Sequence, residues 1–466
     1  MFQTIMQTAE ALICDYLETE EGRSLTNLLD MERLGAEAGR ELAQRLVQRF
    51  VEAKTAQAKA TRPACGCGKP IAIHSQSSWT RRGLAGEIRI TDPYCYCKTC
   101  GESLRPLHRL LGTDREKWSL DLERLAVDLA ADESCEKAVK KLHRMYPGVE
   151  MGRTTALRVL HEHGQKAKTF VRDKIQRGLE EATSQASESG GCAELEVEYD
   201  GGMIPTAVLV PHPEESQART PVRNLPRRKR VCEWKEAKVG LVQVPGEVNR
   251  LYTARPTHEL EEVFQDLLGL ACMKGLGAET RVRGIADGAP YIRKRLERTF
   301  ENHRFQFILD RPHAKQHLYE AGERIHPFDK KRRQVWVDEA LAELEAGYAS
   351  KVVRRLRRLA QRHEDNELRK AADYFARNAD AVAYSEYRAQ GWSTASSEVE
   401  SGHRHVVQVR LKIPGAWWHP DNISNILALR MLKANEGWWD EYWDEQNRAW
   451  SQRAVDFIGG EHQAAA

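Results

Sequence analysis

Two short stretches decide how this chain is read: "EVEYDGGMI" (residues 196–204) and "IADGAPYIRKRL" (285–296). Each runs an apolar or alternating segment, which reads as a strand, into an Asp-Gly pair. The end of a strand is a rigid place to hold a charge, and two such ends can hold a metal between them. A third segment, "FILDRPH" (307–313), also ends a strand on an aspartate, Asp310, here without the glycine. Asp200, Asp287 and Asp310 are thus each expected where a strand stops. Asp-Gly by itself is weak evidence, because turns produce it constantly.

Around these points, "CAELEVEYDGGMIPTAVLVP" (192–211) gives two strands about Asp200. Strands follow in "KEAKVGLVQVP" (235–245) and "RLYTARP" (250–256), then a helix in "THELEEVFQDLLGLACMKGL" (257–276), a strand in "TRVRGIAD" (280–287), a helix from 290 and a strand in "FQFILD" (305–310). Strands followed by alternation with helices predict a mixed α/β sheet. Residues 311–390 are almost wholly helical in pattern, and the tail is helical and rich in Trp.

Before the sheet lie different textures. Residues 1–60 read as helix, with apolar positions at helical spacing and no Pro. In "CGCGKPIAIHSQSSWTRRGLAGEIRITDPYCYCKTCGESLRPL" (65–107), a Cys-x-Cys and a Cys-x-x-Cys pair, each followed by Gly, bracket strand-like sequence. Two turns that present thiolates to each other can close a tetrahedral zinc site. Cys65, Cys67, Cys97 and Cys100 are the expected ligands, with Cys95 or His74 as substitutes because Cys-x-Cys is the less common spacing. From 119 to 164, two helical stretches joined through Pro147-Gly148 have the pattern of a helix-turn-helix that would offer Arg153, Thr154, Thr155 and Arg158 to a DNA groove. A three-helix packing unit with no DNA role reads the same. A charged helix then ends in the Ser/Gly-rich "SQASESGG" (184–191), a domain boundary.

The chain has 466 residues, enough for two to four domains, with 41% hydrophobic and 30% charged residues. Its formal net charge is +3, so nucleic-acid binding must come from local clusters: "RRKR" (227–230), "KKRR" (330–333) and "RRLRRLAQR" (354–362). Each also reads as a solvated helix face. Ten cysteines in this setting point to spacing rather than to a disulfide framework. No run approaches the roughly 18 apolar residues of a membrane span, and the amino terminus lacks a basic region before its apolar residues, so a cytoplasmic protein with no membrane partner is expected.

Hard divalent cations prefer carboxylate oxygens, and a pair of them about 3.5 to 4 Å apart stabilises both oxygens of an in-line phosphoryl transfer. Such a site needs a further carboxylate, and "SSEVESGHRHVVQVRLKIPGAWWHPDNISNILALR" (396–430) offers Glu398 and Glu400. On a helix these two lie about 200° apart, so one alone faces the site; Glu400 shares its face with His403, Arg404 and Val407.

The combination "YDGG", "ADGAPYI", "FILDRPHAKQHL" and "VESGHRHVVQVRLKIPGAWWHPDNISNILALR" resembles bacterial insertion-sequence transposases of the DDE type, in particular the ISKra-type and Mutator-like groups. The resemblance covers roughly 65–430. It implies an RNase H-like core, with Asp200, Asp287 and Glu400 as catalytic ligands of Mg2+ or Mn2+, and Asp310 and His313 buttressing the site. The expected plan is multidomain α and α/β: N-terminal helices (1–60), a zinc ribbon (61–112), a helix-turn-helix (113–165), a helix and linker (166–192), the first part of the core (193–326), an all-helical insertion (327–392), and core completion with a helical tail (393–466). In the insertion, Trp336 is either a core residue or an aromatic that stacks on a displaced DNA base. The resemblance further implies DNA as partner, a homodimer or higher oligomer on it, structural Zn2+, and association with the nucleoid. A structure-specific nuclease on the same fold, and an inactive transposase-derived DNA-binding protein, are the alternatives.

Overall fold

The computed structural model describes residues 2–24, 27–60, 65, 67–69, 71–111, 117–185, 191–211 and 228–464. Arg227 of the first basic cluster and most of the "SQASESGG" linker therefore lie outside the described residues. The chain divides into two compact units: Met1–Ala126 with Val139–Gly152 and Asp444–Ala466, and Val127–Ala138 with Arg153–Trp443. The segment expected to form a helix-turn-helix is divided between them.

In the first unit, α1 (Phe2–Leu17), α2 (Glu20–Arg23) and the long α3 (Leu28–Ala60) precede a three-stranded antiparallel sheet of β1 (Ala72–Gly83), β2 (Gly86–Tyr96) and β3 (Ser103–Leu104), followed by α4 (Pro106–Leu110). Val51 and Ala58 of α3 pack on Ile88 and Ile90 of β2 and on Leu107. β3 covers only Cys95 and Tyr96 of β2, so among the described residues the edge at 87–91 has no strand partner. Glutamines of α3 take that place: Gln44 donates to the Glu87 carbonyl (2.7 Å), while Gln48 donates to the Arg89 carbonyl (3.0 Å) and accepts from its N–H (2.9 Å). A covered edge cannot recruit a foreign strand.

Two helices, α5 (Leu120–Asp132) and α6 (Cys135–Met145), are shared between the units, and the second unit continues with α7 (Arg153–Gln185). α7 runs unbroken through Gly164, where a helix end was expected. That glycine serves packing: a Cβ on it would lie 2.7 Å from Asn425 Cβ and 2.8 Å from the Asn425 carbonyl oxygen.

The sheet of the second unit contains β4 (Glu194–Pro211), β5 (Arg228–Gln243), β6 (Leu251–Pro256), β7 (Arg281–Ala286) and β8 (Arg304–Leu309), in the order β6-β5-β4-β7-β8. β5 is antiparallel to β4 and β6, while β7 and β8 run parallel to β4. Parallel neighbours need crossovers, supplied by α8 (Leu260–Met273) and α9 (Pro290–Thr299). β4 was expected as two strands about Asp200, but it is one, and Asp200 lies inside it rather than at its end. The Gly201-Gly202 pair stays extended because it pairs with Lys238 and Ala237 of β5.

After β8 come α10 (Arg311–Ile325), α11 (Lys330–Glu345), α12 (Ala349–Arg362), α13 (Asn366–Arg377) and α14 (Tyr384–Ala389), the helical block expected from sequence. Trp336 of α11 belongs to its core, 8% exposed beside Val337 and Leu341, with the Arg355 guanidinium 5.4 Å from the ring centroid. This is the packing expected of the core alternative. α15 (Ser397–Gly402), a π-helical stretch His403–Gln408 and α16 (Val409–Leu411) follow, then α17 (Ile423–Ala434) and α18 (Trp438–Ala464), which enters the first unit.

Gly164→Ala should raise helix propensity by about 1 kcal/mol, yet overpacking against the α17 backbone costs about 1 to 3 kcal/mol. Chemical denaturation should show net destabilisation. An unchanged or higher midpoint would mean that the α7–α17 contact tolerates a methyl group.

Candidate metal centre and acidic face

Four sulfurs converge in the first unit. The Cys65–Cys100 Sγ separation is 2.9 Å and the Cys67–Cys97 separation 3.7 Å, and all four donor atoms lie within 4.8 Å of one another. Each pair sits on a tight turn closed by backbone bonds: Cys65 N–H reaches the Lys69 carbonyl, and Cys97 N–H the Glu102 carbonyl. Gly68 (φ 78°) and Gly101 (φ 77°) supply the left-handed residue that each turn needs. The first turn is one residue tighter, which is how Cys-x-Cys matches Cys-x-x-Cys. Cys95 is buried outside this group, and His74 packs edge-on to Tyr94 and Tyr96; neither is needed as a ligand. Backbone N–H groups of Cys100 and Thr99 aimed at Cys97 lower its pKa to about 6, while the hydrogen bond with the Cys100 thiol raises that of Cys65. The four thiols fit a soft, tetrahedral structural ion.

The second feature is the acidic face of β4. "ELEVEYD" (194–200) alternates, so Leu195, Val197 and Tyr199 point to one side and Glu196, Glu198 and Asp200 to the other. Tyr199 stacks on Phe264 of α8 (5.1 Å between centroids). On the opposite side, Glu198 Oε2 accepts the Val399 N–H of α15 (2.7 Å), and Asp200 Oδ2 lies 3.4 Å from His403 Nε2. Burial pushes the Glu198 carboxyl up to about 9, helped by the charges of Glu196, Glu398 and Asp310 and opposed by the Val399 N–H. Glu198 is therefore protonated at neutral pH. Glu196 accepts from Gln243 Nε2 at 2.6 Å.

Register brings the three aspartates to one level. Glu198 pairs with Ile285, and Ala286 with Leu309. Continued past the strand ends, these registers set Asp200 beside Asp287 and Asp287 beside Asp310, on strands about 4.8 Å apart. The His313 imidazole feels all three. The hydrogen bond to Asp310 Oδ2 (Nδ1 at 2.5 Å) raises its pKa to about 8 against the opposing effect of burial, with Asp200 and Asp287 adding to the rise. Asp310 is fully buried. Its carboxylate accepts the His313 N–H (3.0 Å) and the Ser396 N–H (2.7 Å). Burial would raise its pKa, but these bonds outweigh it and the net shift is downward. Asp310 thus ties the start of α10 to the start of α15. Asp287 is held from below: its Oδ1 accepts the Ala289 N–H (2.9 Å), and Tyr374 OH donates to its carbonyl (2.6 Å).

Glu398 and Glu400 separate as expected. Glu398 leaves α15 toward β6, pairing with Arg250 (3.1 Å). Glu400 is exposed and lies on the helix stripe Ser396-Glu400-His403, spaced i, i+4, i+7, whose two outer members contact Asp310 and Asp200. Beyond His403 the helix widens into its π-helical stretch, so the uniform register that paired Glu400 with Val407 does not continue. Among the described residues, the four sulfurs are the one group of three or more such donors within 4.8 Å; Asp200, Asp287 and Glu400 are not drawn together that closely. His403 was missed as a site residue because a lone histidine after "VESG" carries no spacing signal. It is buried, and burial lowers its pKa despite Asp200 beside it, so its ring is neutral.

Arg153, Thr154 and Arg158 are exposed in the first two turns of α7, with Thr155 half-buried; Arg158 also pairs with Glu162 (2.5 Å). In the basic cluster at 330–333, Arg332 pairs with Asp329 and Arg333 with Glu323. In the cluster at 354–362, which α12 carries, Arg354, Arg358 and Arg362 are exposed. No helix among the described residues is long and apolar enough to cross a membrane. A scan of the sequence against protein-family models gave no match, and neither did a search of curated proteins.

The raised pKa of His313 carries a pH dependence. Its ion pair with Asp310 stabilises the fold fully below the unfolded value of 6.5 and loses that contribution as pH rises through about 8. The difference in unfolding free energy between wild type and His313→Asn should fall across that window by at most about 2 kcal/mol, solvent screening reducing it. A difference that stays flat from pH 6 to 9 would contradict the pairing.

Proposed function

We propose that the chain is a DDE-type DNA transposase with an RNase H-like core, cutting DNA at transposon ends and joining it to target DNA. The observation that carries this reading is the row of Asp200 and Asp287 at one level of adjacent parallel strands, with the Ser396-Glu400-His403 stripe of α15 laid across it. Asp200, Asp287 and Glu400 offer hard oxygen donors that fit Mg2+ or Mn2+, and would close in on the ion as it binds. Such an ion activates an oxygen nucleophile for attack on a phosphodiester. The chain's own residues do the positioning: Asp310 holds His313 and α15 in place, Glu198 anchors α15 through the Val399 N–H, and Tyr374 fixes the Asp287 backbone.

The four-thiol cluster is proposed to hold one structural Zn2+. The exposed amino-terminal turns of α7, with Arg153, Thr154, Thr155 and Arg158, are proposed to contact transposon-end DNA as a dimer or higher oligomer assembles on it. Basic surface residues would release counterions from the DNA, giving binding that weakens steeply with salt.

Purified protein should contain about one equivalent of zinc, lost in the double variant Cys97→Ser, Cys100→Ser; zinc retained there, or absent from wild type, would rule the centre out.

With DNA carrying the inverted repeats that flank the coding region, Glu400→Gln should keep DNA binding and lose cleavage and joining by about 100-fold or more. Glu398→Gln should be mild, since its partner is Arg250. The reverse pattern would reassign the third ligand to Glu398. Cleavage without joining would make the protein a nuclease, and no carboxylate-dependent cleavage at all would leave a DNA-binding protein.

A further inference from the structure

The reading above gives the imidazole of His403 no chemical role. His403 is 5% exposed, and its Nε2 makes no hydrogen bond although Asp200 Oδ2 lies 3.4 Å away. A buried polar atom left unpaired costs about 1 to 3 kcal/mol. The plainest account is a histidine packed for its shape, but β4 has made room for this ring at its own expense. A Cβ on Gly202 would lie 2.8 Å from His403 Cε1 and 2.9 Å from Nδ1, so the strand forgoes a side chain there to seat the imidazole beside Asp200. The ring also begins the π-helical stretch His403–Gln408, a local widening that recurs at functional sites. Three residues earlier on the same stripe is Glu400. Glu-x-x-His at i, i+3 is a spacing by which helices bind metal ions through one carboxylate and one imidazole. Two neighbouring donors on one small divalent ion lie about 3 Å apart, given bonds of about 2.1 Å. The Asp200–His403 separation of 3.4 Å is close to that.

We propose that His403 Nε2 is a nitrogen ligand to a cation held with Asp200 and Glu400, which makes this a mixed nitrogen-oxygen site selective for first-row transition ions over Mg2+. An imidazole favours transition ions, whereas Mg2+ is best served by oxygen alone. The proposal rests on the acidic face being a metal site, and it adds the donor that decides which metal.

The test uses the full-length, zinc-loaded protein with Mn2+ as a paramagnetic probe, read by pulsed electron spin resonance and by binding titration without DNA. Bound Mn2+ should show the 14N modulation of a coordinated imidazole in wild type. His403→Gln should lose that modulation and weaken Mn2+ binding by about 10-fold or more, with Mg2+ affinity changed by no more than about 3-fold. Gly202→Ala, which removes no ligand but displaces the ring, should also lose the modulation, and it serves as the second variant if His403→Gln fails to fold. Modulation that persists in both variants, or its absence from wild type when Asp200→Asn abolishes Mn2+ binding, would overturn the nitrogen ligand and leave the carboxylate site standing. Mn2+ binding untouched by Asp200→Asn would overturn the metal site itself and this inference with it.

Discussion

The structure of the second unit depends on how four carboxylates are accommodated on one side of a sheet. Two unit charges about 5 Å apart repel by roughly 3 kcal/mol at an effective dielectric of 20. Glu196, Glu198, Asp200 and Asp310 cannot all be buried and ionised without compensation, and each is answered differently. Glu198 keeps its proton, Glu196 takes the Gln243 amide, and Asp310 is wrapped by two backbone N–H groups and an imidazolium. Asp200 is half-buried, with His403 Nε2 3.4 Å from its carboxylate and its charge adding to the rise in the His313 pKa. The buried carboxylates are thus each answered within the fold, and on the function proposed above a divalent cation would do the same for Asp200, Asp287 and Glu400.

Much of this was legible in the sequence because it follows from periodicity. The alternation in "ELEVEYD" fixes which residues share a face, the strand-to-Asp-Gly step at 287 marks a strand end, and the helical period of 311–390 marks an all-helical block. The four cysteines were legible because paired thiols at short spacing, each followed by glycine, have few other uses. What failed was the reading of glycine. "DGG" at 200–202 suggested a turn, yet β5 pairs with it throughout and the missing side chain makes room for His403. The pattern predicts one helical stretch closing at Gly164 and another starting after it, yet α7 runs through because α17 presses against it. A single sequence gives glycine's local freedom but not the distant neighbour that makes its small size necessary. His403 and the protonated Glu198 were illegible for the same reason, since contacts some 200 residues apart in sequence create both.

The helical block raises the question of how a carboxylate 90 residues beyond β8 can be placed with care. Loop-closure entropy grows only slowly with length, so the size of the insertion matters less than whether its ends are fixed. They are fixed close together. The Leu309 N–H bonds to the Ala381 carbonyl and the Arg311 N–H to the Thr394 carbonyl, so the chain leaves and re-enters at the end of β8. From there α15 is oriented by the sheet and not by the helices that precede it: Asp310 takes the Ser396 N–H at its start and Glu198 takes the Val399 N–H one turn on. Glu400 follows that second anchor directly. The position of Glu400 is therefore set by side chains of β4 and of the β8 end. A helical block can change in length or surface without disturbing the acidic face, provided the bonds at Leu309 and Arg311 and the Tyr374 bond to the Asp287 carbonyl are kept.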